Sequence, residues 1–480
     1  MMMHIALATM LLPFIGALLI AILPKRYGPV LCSLFALVAT LGMASLAYLF
    51  WQNGQHETTL ILYQVGHAQL FGFRLDKVSL LIGFAVVSLG FLVSLYSCGY
   101  MSMGNREHPQ TGDNRYWAFL LVFIGAMAGL TLSSTILGQL LFFEITGGCS
   151  WALIGYYQSE KSLKAALKAL LVTHIASLGL YIAAAWLFAK TGTFDLAAMA
   201  QLDEPSKLVV IGGILFAAWG KSAQLPMHVW LPDAMEAPTP VSAYLHAASM
   251  VKVGVYIFAR AILSAGNVPH IIGVVGVVMA VITLIYGFFM YLPQKDMKRL
   301  LAYSTITQLS YIFLALSLSI FGSHEAFNAG VSYIFNHAYA KSLFFLVAGA
   351  LSYSCGTRLL PRFKGMIHKL PLLGIGFCVA AMAVAGVPPF NGFFSKFPLF
   401  AAGFAISAKQ LWLVPLLIVV LLESVASFAW FLHWFGKTVP GEPSETIANA
   451  SEVPVSMKLV LVVLIIMSLI SSVIAALWLQ

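Results

Sequence analysis

Charge is what this sequence has least of. Only 9% of its 480 residues are Asp, Glu, Lys or Arg, against 60% hydrophobic, and the mean hydropathy is +0.92. That balance excludes a soluble globular protein and leaves an all-α polytopic membrane protein. Cysteine is sparse too. Cys32, Cys98, Cys149, Cys355 and Cys378 include no close pair, which argues against an iron–sulfur centre or a disulfide framework. A glycine-rich phosphate loop is missing, so nucleotide hydrolysis is not expected, and neither a cofactor nor a metal site is indicated. The net charge of +9 is spread over short loops and does not form a nucleic-acid surface. From Ile5 onward the N-terminus is apolar without a small-residue cleavage site. It reads as a first span and not as a removable signal peptide.

What is present is a succession of apolar runs long enough to cross roughly 30 Å of hydrocarbon. We expect about fourteen, at 5–23, 29–51, 76–100, 115–133, 134–157, 160–189, 207–225, 239–264, 268–291, 297–320, 325–354, 371–398, 404–436 and 457–479. With both termini placed on the outer, periplasm-like side, sixteen of the 26 lysines and arginines fall inside and six outside, an excess of the expected sign. Span seven is interrupted at Gln224–Pro226, and span twelve at Val387-Pro388-Pro389-Phe390-Asn391-Gly392. A broken helix frees backbone groups that only protein or a water-filled cavity can satisfy. The two breaks lie five spans apart, and an odd spacing means opposite insertion. This suggests two inverted five-helix repeats: residues 1–114 for the first three helices, 115–264 for helices 4–8, 265–436 for helices 9–13, and 437–480 for a loop and helix 14. Lys221 would then mirror Lys396, and Lys252 would mirror Glu423.

Six charged residues fall within spans: Glu144, Lys221, Lys252, Lys341, Lys396 and Glu423, joined by His174, His246 and His337. Each charge costs at least about 2.5–3.5 kcal/mol at mid-bilayer, so the set requires pairing, water or function. Glu144 is expected as the acid partner of Lys221, or else as a protonated acid bonded between helices. Lys221, beside the break, could snorkel; Lys252 lies too deep for that. Lys396 follows the second break and inherits the argument for Lys221. His337 and Lys341 are four apart on one helical face, which suits a relay and equally a helix contact. Glu423 could partner Lys396 or simply bond between helices. His174 and His246 read first as helix-packing groups.

Lysine suits ion movement for an energetic reason. Desolvation favours its neutral form, and a carboxylate at 4 Å reverses this by about 4 kcal/mol at an effective dielectric near 20. A unit charge crossing about 200 mV gains some 4.6 kcal/mol, so opening one Glu–Lys pair is matched to a bioenergetic membrane potential.

The stretch GKSAQLPMHVWLPDAMEAPTPVSAYLHAASMVKVGVY resembles the antiporter-like membrane subunits shared by respiratory complex I, Mrp-type sodium/proton antiporters and membrane-bound hydrogenases. DMKRLLAYSTITQLSYIFLAL, NHAYAKSLFFLVAG and AGVPPFNGFFSKF resemble three further blocks of that family, so the likeness covers about spans 3 to 13. It implies fourteen helices, broken helices 7 and 12, and a hydrophilic axis at mid-membrane. It also implies a proton relay through Glu144, Lys221, Lys252, His337, Lys341 and Lys396; by their place within the spans, and not by the resemblance, His246, Glu423 and His174 are secondary candidates. Phe143 stands where the family usually has tryptophan, and Thr146-Gly147-Gly148 where larger residues are common. Ending at Gln480 after span fourteen, the chain is expected to lack a long lateral helix. Within the family it resembles subunits of hydrogenase-4, formate hydrogenlyase-type complexes in a bacterial inner membrane. The implied partners are other membrane and peripheral subunits of a hydrogenase or dehydrogenase complex, homologous antiporter-like subunits and lipids. No redox centre of its own is expected. A sodium/proton antiporter and a non-pumping scaffold are the alternatives.

Overall fold

The computed structural model describes residues 1–480. Sixteen long helices account for most of the chain. They are α1 (Met2–Ile22), α2 (Gly28–Gln52), α3 (Lys77–Tyr100), α4 (Asn114–Leu132), α5 (Ile136–Ile154), α6 (Glu160–Thr191), α7 (Glu204–Lys221), α8 (Thr239–Ala247), α9 (Met250–Ala265) and α10 (His270–Tyr291). The remainder are α11 (Met297–Ser319), α12 (His324–Cys355), α13 (Pro371–Ala385), α14 (Phe393–Ser407), α15 (Leu413–Thr438) and α16 (Val455–Leu479). Counting α8 with α9 as one, twelve helices are long and apolar enough to cross a membrane; α13 and α14 are shorter apolar helices. The chain is therefore an all-α polytopic membrane protein. It carries one small addition the helical periodicity did not reveal, an antiparallel hairpin of β1 (Thr58–Val65) and β2 (Ala68–Leu75) between α2 and α3.

Helix ends follow local chemistry. Asp76 caps α3, accepting the Ser79 amide at 2.8 Å in a reciprocal capping box. Thr135, Ser159, Asp296 and Ser323 cap α5, α6, α11 and α12, each side chain accepting the amide three residues on without the reciprocal bond. α11 and α12 are buried around their whole circumference in their most apolar stretch, whereas α1, α2, α15 and α16 keep an apolar face outward. α12 is the hub: α3, α8, α11, α13, α14 and α16 all pack on it. A helix apolar on all sides and enclosed by others is where polar groups escape lipid.

The breaks differ from expectation in detail. α7 ends at Lys221, three residues before the Gln224–Pro226 interruption. The second half of the other broken pair runs on to Ser407, and α15 begins only at Leu413, so the boundaries expected at 398 and 404 are both displaced. Pro398 lies inside α14 and does not end it, a placement that membrane helices tolerate. A third break separates α8 from α9 at Ala248-Ser249, within the span expected to be continuous over 239–264. Ser249 Oγ donates to the Tyr244 carbonyl at 2.8 Å there, a carbonyl that also accepts the Ala248 and Ser249 amides.

Candidate functional site

At the first break the freed backbone groups are taken up by protein. Gln224 Nε2 donates to the carbonyls of Ser222 at 3.0 Å and Ile306 at 3.3 Å, while its Oε1 accepts from Ser310 at 2.8 Å. The Leu225 amide donates to Thr283, and the Trp219 and Trp230 indoles donate to the carbonyls of Leu225 and Gly220. Ser222 Oγ stitches the break to α9 through the Val251 carbonyl at 2.7 Å. Gly254 lets α9 come this close: a Cβ there would stand 2.3 Å from the Ala218 carbonyl oxygen.

Lys221 is buried, and its Nζ donates to the Phe143 carbonyl at 2.8 Å and lies 4.1 Å from the centre of the Phe143 ring. The expected ion pair with Glu144 is not made. Glu144 Oε2 instead meets His174 Nδ1 at 3.1 Å, and its buried Oε1 has no hydrogen-bond partner. The cause is direction. Glu144 and His174 sit at the outer edge of α5 and α6, with side chains 27% and 56% exposed, whereas Lys221 faces inward. His174 is thus a partner of the acid and not the enclosed packing group its sequence context suggested.

Further in, Lys252 Nζ lies 2.7 Å from His337 Nδ1. One turn along α12, Lys341 Nζ donates to Ser304 Oγ at 2.8 Å and the Leu301 carbonyl at 3.2 Å. His246 is fully enclosed near Phe345, and neither ring nitrogen has a hydrogen-bond partner. His337 Nε2 is likewise unpaired. At the second break Lys396 Nζ donates to the Ala385 carbonyl at 3.2 Å and Ser424 Oγ at 3.0 Å, and lies 4.7 Å from the Tyr311 ring centre. Ala385 is the last residue of α13, so this ammonium sits at the negative end of a helix. Gly392 permits the fold-back, since a Cβ there would overlap the Ala383 carbonyl oxygen. Asn391 ties the break to α12 and α16 through the Asn336 carbonyl at 3.0 Å and Ser471 Oγ at 2.9 Å. Glu423 does not pair with Lys396. Tyr311 and Ser427 donate to it at short range and Tyr291 at 3.3 Å, which occupies the carboxylate with hydroxyls.

Charges assigned to loops or span ends by sequence prove to be buried as well. Lys298 is 2% exposed and donates to the Ala237 carbonyl at 2.7 Å. It borders a polar cavity of about 400 Å³ shared with Glu107, His108, Glu236 and Arg358. In that loop burial pushes the His108 imidazole below its ordinary value; Glu107 opposes the shift, and Lys298 and Arg358 reinforce it. Lys298 stands two residues past the Asp296 cap, between buried Met297 and Leu300, and that position was the available signal. Arg260, expected at the outer side, is fully buried and grips Asp76 with both terminal nitrogens, one at 3.0 Å. Lys207 is also mostly buried, donating to the carbonyls of Ala265 at 3.0 Å and Asn267 at 2.9 Å.

This arrangement has relatives. Residues 133–422 match the family described as NADH:quinone oxidoreductase/Mrp antiporter, transmembrane, and residues 64–117 match the N-terminus of chain 5 of NADH-ubiquinone oxidoreductase (complex I). NADH-quinone oxidoreductase subunit L of Campylobacter jejuni is 34% identical over 396 residues, covering 80% of this chain and 63% of the relative. The subunit L of Escherichia coli K12 is 34% identical over 410 residues, covering 80% and 64%. The chain thus spans less than two thirds of these relatives' length. Among solved structures, a chain of the Mrp complex from Dietzia sp. DQ12-45-1b superimposes with a TM-score of 0.84 at 28% identity, over 97% of this chain and 50% of that one. A chain of the membrane-bound sulfane sulfur reductase, an archaeal respiratory membrane complex, gives 0.85 at 25% identity, over 98% and 95%. With three-fifths of its length inside the family match, a polytopic helical fold and lysines buried beside helix breaks, the chain belongs to the NADH:quinone oxidoreductase/Mrp antiporter family of membrane proteins.

Proposed function

We propose that the chain is a proton-translocating, antiporter-like subunit of a redox-driven membrane complex. The relay would run through Glu144, Lys221, Lys252, His337, Lys341 and Lys396, with His174, His246 and Glu423 as auxiliary groups. The observation that carries this reading is how the lysines are held. Lys221, Lys341 and Lys396 are buried against neutral carbonyls, hydroxyls or ring faces, and Lys252 against an imidazole; none has a carboxylate within 4.0 Å. A neutral acceptor stabilises an ammonium less than a carboxylate does, so proton gain and loss at such a lysine stay close in free energy. The open Glu144–His174 edge suits a neighbouring antiporter-like subunit, whose charge would complete the row. The repeat boundaries 115–264 and 265–436, termini on the periplasmic side and a bacterial inner membrane are parts of the same proposal.

At finer grain the reading is a hydrogenase-4 component D-like subunit in a formate hydrogenlyase-type complex, coupled to hydrogenase partners that supply the redox energy. A second reading, sodium/proton exchange, is favoured by the likeness to the Mrp complex chain. The test is proton translocation by inverted vesicles carrying the intact complex, comparing parent with Lys221→Ala at equal assembly. Lost translocation with a persisting or slowed redox reaction supports the relay. Unchanged redox rate and unchanged pumping in an assembled complex would overturn it in favour of a scaffold. Pumping that requires added sodium would establish the second reading.

A further inference from the structure

Two cavities lie end to end on one outer face, between α7 and α10. The first is polar, about 520 Å³, at the helix starts, and is bordered by Glu204, Lys207, Asn267 and His270. The second is apolar, about 650 Å³, and continues down the same two helices past Leu208, Gly212 and Phe216 on one side and Ile271, Val275 and Met279 on the other. Leu208 follows Lys207 in sequence and Ile271 follows His270, so the residues lining the trough begin on both helices where those lining the mouth end. From Lys207 to Trp219, at the trough's far end, α7 rises about 18 Å, close to the half-thickness of about 15 Å of a bilayer's hydrocarbon core.

We propose that this cleft seats one zwitterionic phospholipid of the phosphatidylethanolamine type, headgroup in the mouth and an acyl chain in the trough. The mouth carries both signs. Lys207 commits two donors to the carbonyls of Ala265 and Asn267, which fixes its ammonium and leaves one N–H for a phosphate, with the His270 ring beside it. Glu204 supplies the complement for a headgroup ammonium and disfavours a lipid of net negative charge. The trough is open at Gly212: a Cβ there would meet only Ile272 Cδ1, at 3.9 Å, so a long side chain at this position would project into the space. Its rims, Leu208, Phe216, Ile271 and Val275, are exposed and apolar, as a flexible hydrocarbon tail requires. Its floor includes Trp219, Pro226 and Met227 of the first break. The tail therefore covers, from the bilayer side, the irregular backbone that adjoins Lys221. The inference rests on the cleft alone and is independent of which ion the chain carries.

The experiment is native mass spectrometry of the full-length chain released from mild detergent, with phosphatidylethanolamine or phosphatidylglycerol added at equal concentration. The parent is expected to retain one phosphatidylethanolamine in preference to phosphatidylglycerol. Gly212→Leu, which fills the trough, is expected to lower that retention about tenfold, the equivalent of two methylenes losing their contact. Glu204→Gln, at an exposed helix start, is expected to leave the fold intact and erase the preference between the two lipids. Equal retention of both lipids by the parent overturns the headgroup assignment. Undiminished retention by Gly212→Leu shows the lipid to be bound elsewhere and overturns the site. A neighbouring subunit filling the cleft would appear as an intact complex that retains no lipid, and that also overturns it.

Discussion

Glu144 and Glu423 are both acids set within helices of the same bundle, yet they are held in opposite ways. Glu423 is buried and surrounded by hydroxyls of Tyr291, Tyr311 and Ser427. Glu144 stands at the molecule's edge with one imidazole for company and one oxygen unpaired. Their lysines repeat one theme: Lys221 rests on a carbonyl and the Phe143 ring, Lys396 on a carbonyl and the Tyr311 ring. The lesson is that a similar lysine environment is built twice while the two acids are bonded differently. One is enclosed by hydroxyls, and the other keeps an unpaired oxygen at the molecule's edge.

A third acid sets the upper limit of that scale. Asp76 is tied to the buried Arg260, and Asp76→Ala should cost about 3–5 kcal/mol by stranding that guanidinium, read as a lowered melting temperature of the purified chain. Burial alone would raise the Asp76 pKa, but the charge and hydrogen bonds of Arg260, the Ser79 amide and Arg74 together lower it below the ordinary value. A depressed acid stabilises the fold above its unfolded pKa, about 3.9, and loses that contribution as pH falls through its lower folded value. The gap in melting temperature between parent and Asp76→Asn should therefore hold from neutral pH to about 4 and close only below it. Next, Glu423→Ala should cost about 2 kcal/mol by removing the acceptor of two buried tyrosine hydroxyls, while Glu144→Ala should stay within about 0.5 kcal/mol. Equal losses in paired melting curves would break the contrast. Glu144→Gln should lower proton translocation about tenfold, a barrier increase of about 1.4 kcal/mol, without changing assembly. His174→Gln should give the smallest effect, about twofold on the same vesicle assay, because the glutamine amide can still donate a hydrogen bond to the acid in place of the imidazole.

Much of this was legible in the sequence, for identifiable reasons. Apolar runs fixed most spans, because lipid demands length and helical hydrogen bonding together. Prolines and glycine marked the breaks after Lys221 and Ala385. The third break was hidden because Ala248-Ser249 contains neither residue; it depends on a serine hydroxyl bonding back to Tyr244. The hairpin at Thr58–Leu75 is masked by the stronger helical signals on either side, although Gly66-His67 separates two strand-like runs. The partners of the buried charges were the least legible part. Pairing Lys221 with Glu144 and Lys396 with Glu423 is sound arithmetic, but sequence does not state which way a side chain leaves its helix. Glu144 leaves outward and Glu423 turns toward tyrosines, so backbone carbonyls receive the lysines instead.

The Asp76–Arg260 tie also bears on how the chain is made. Its two halves are 184 residues apart, which at about 5–20 residues per second separates their emergence from the ribosome by about 10–40 s. During that interval Asp76 has only the neighbouring Arg74, and the Arg260 guanidinium later finds its carboxylate only if α3 is already in place. The pair therefore ties the placement of the early helices to that of α9: a nascent chain whose α3 is misplaced is left with a buried arginine lacking its carboxylate.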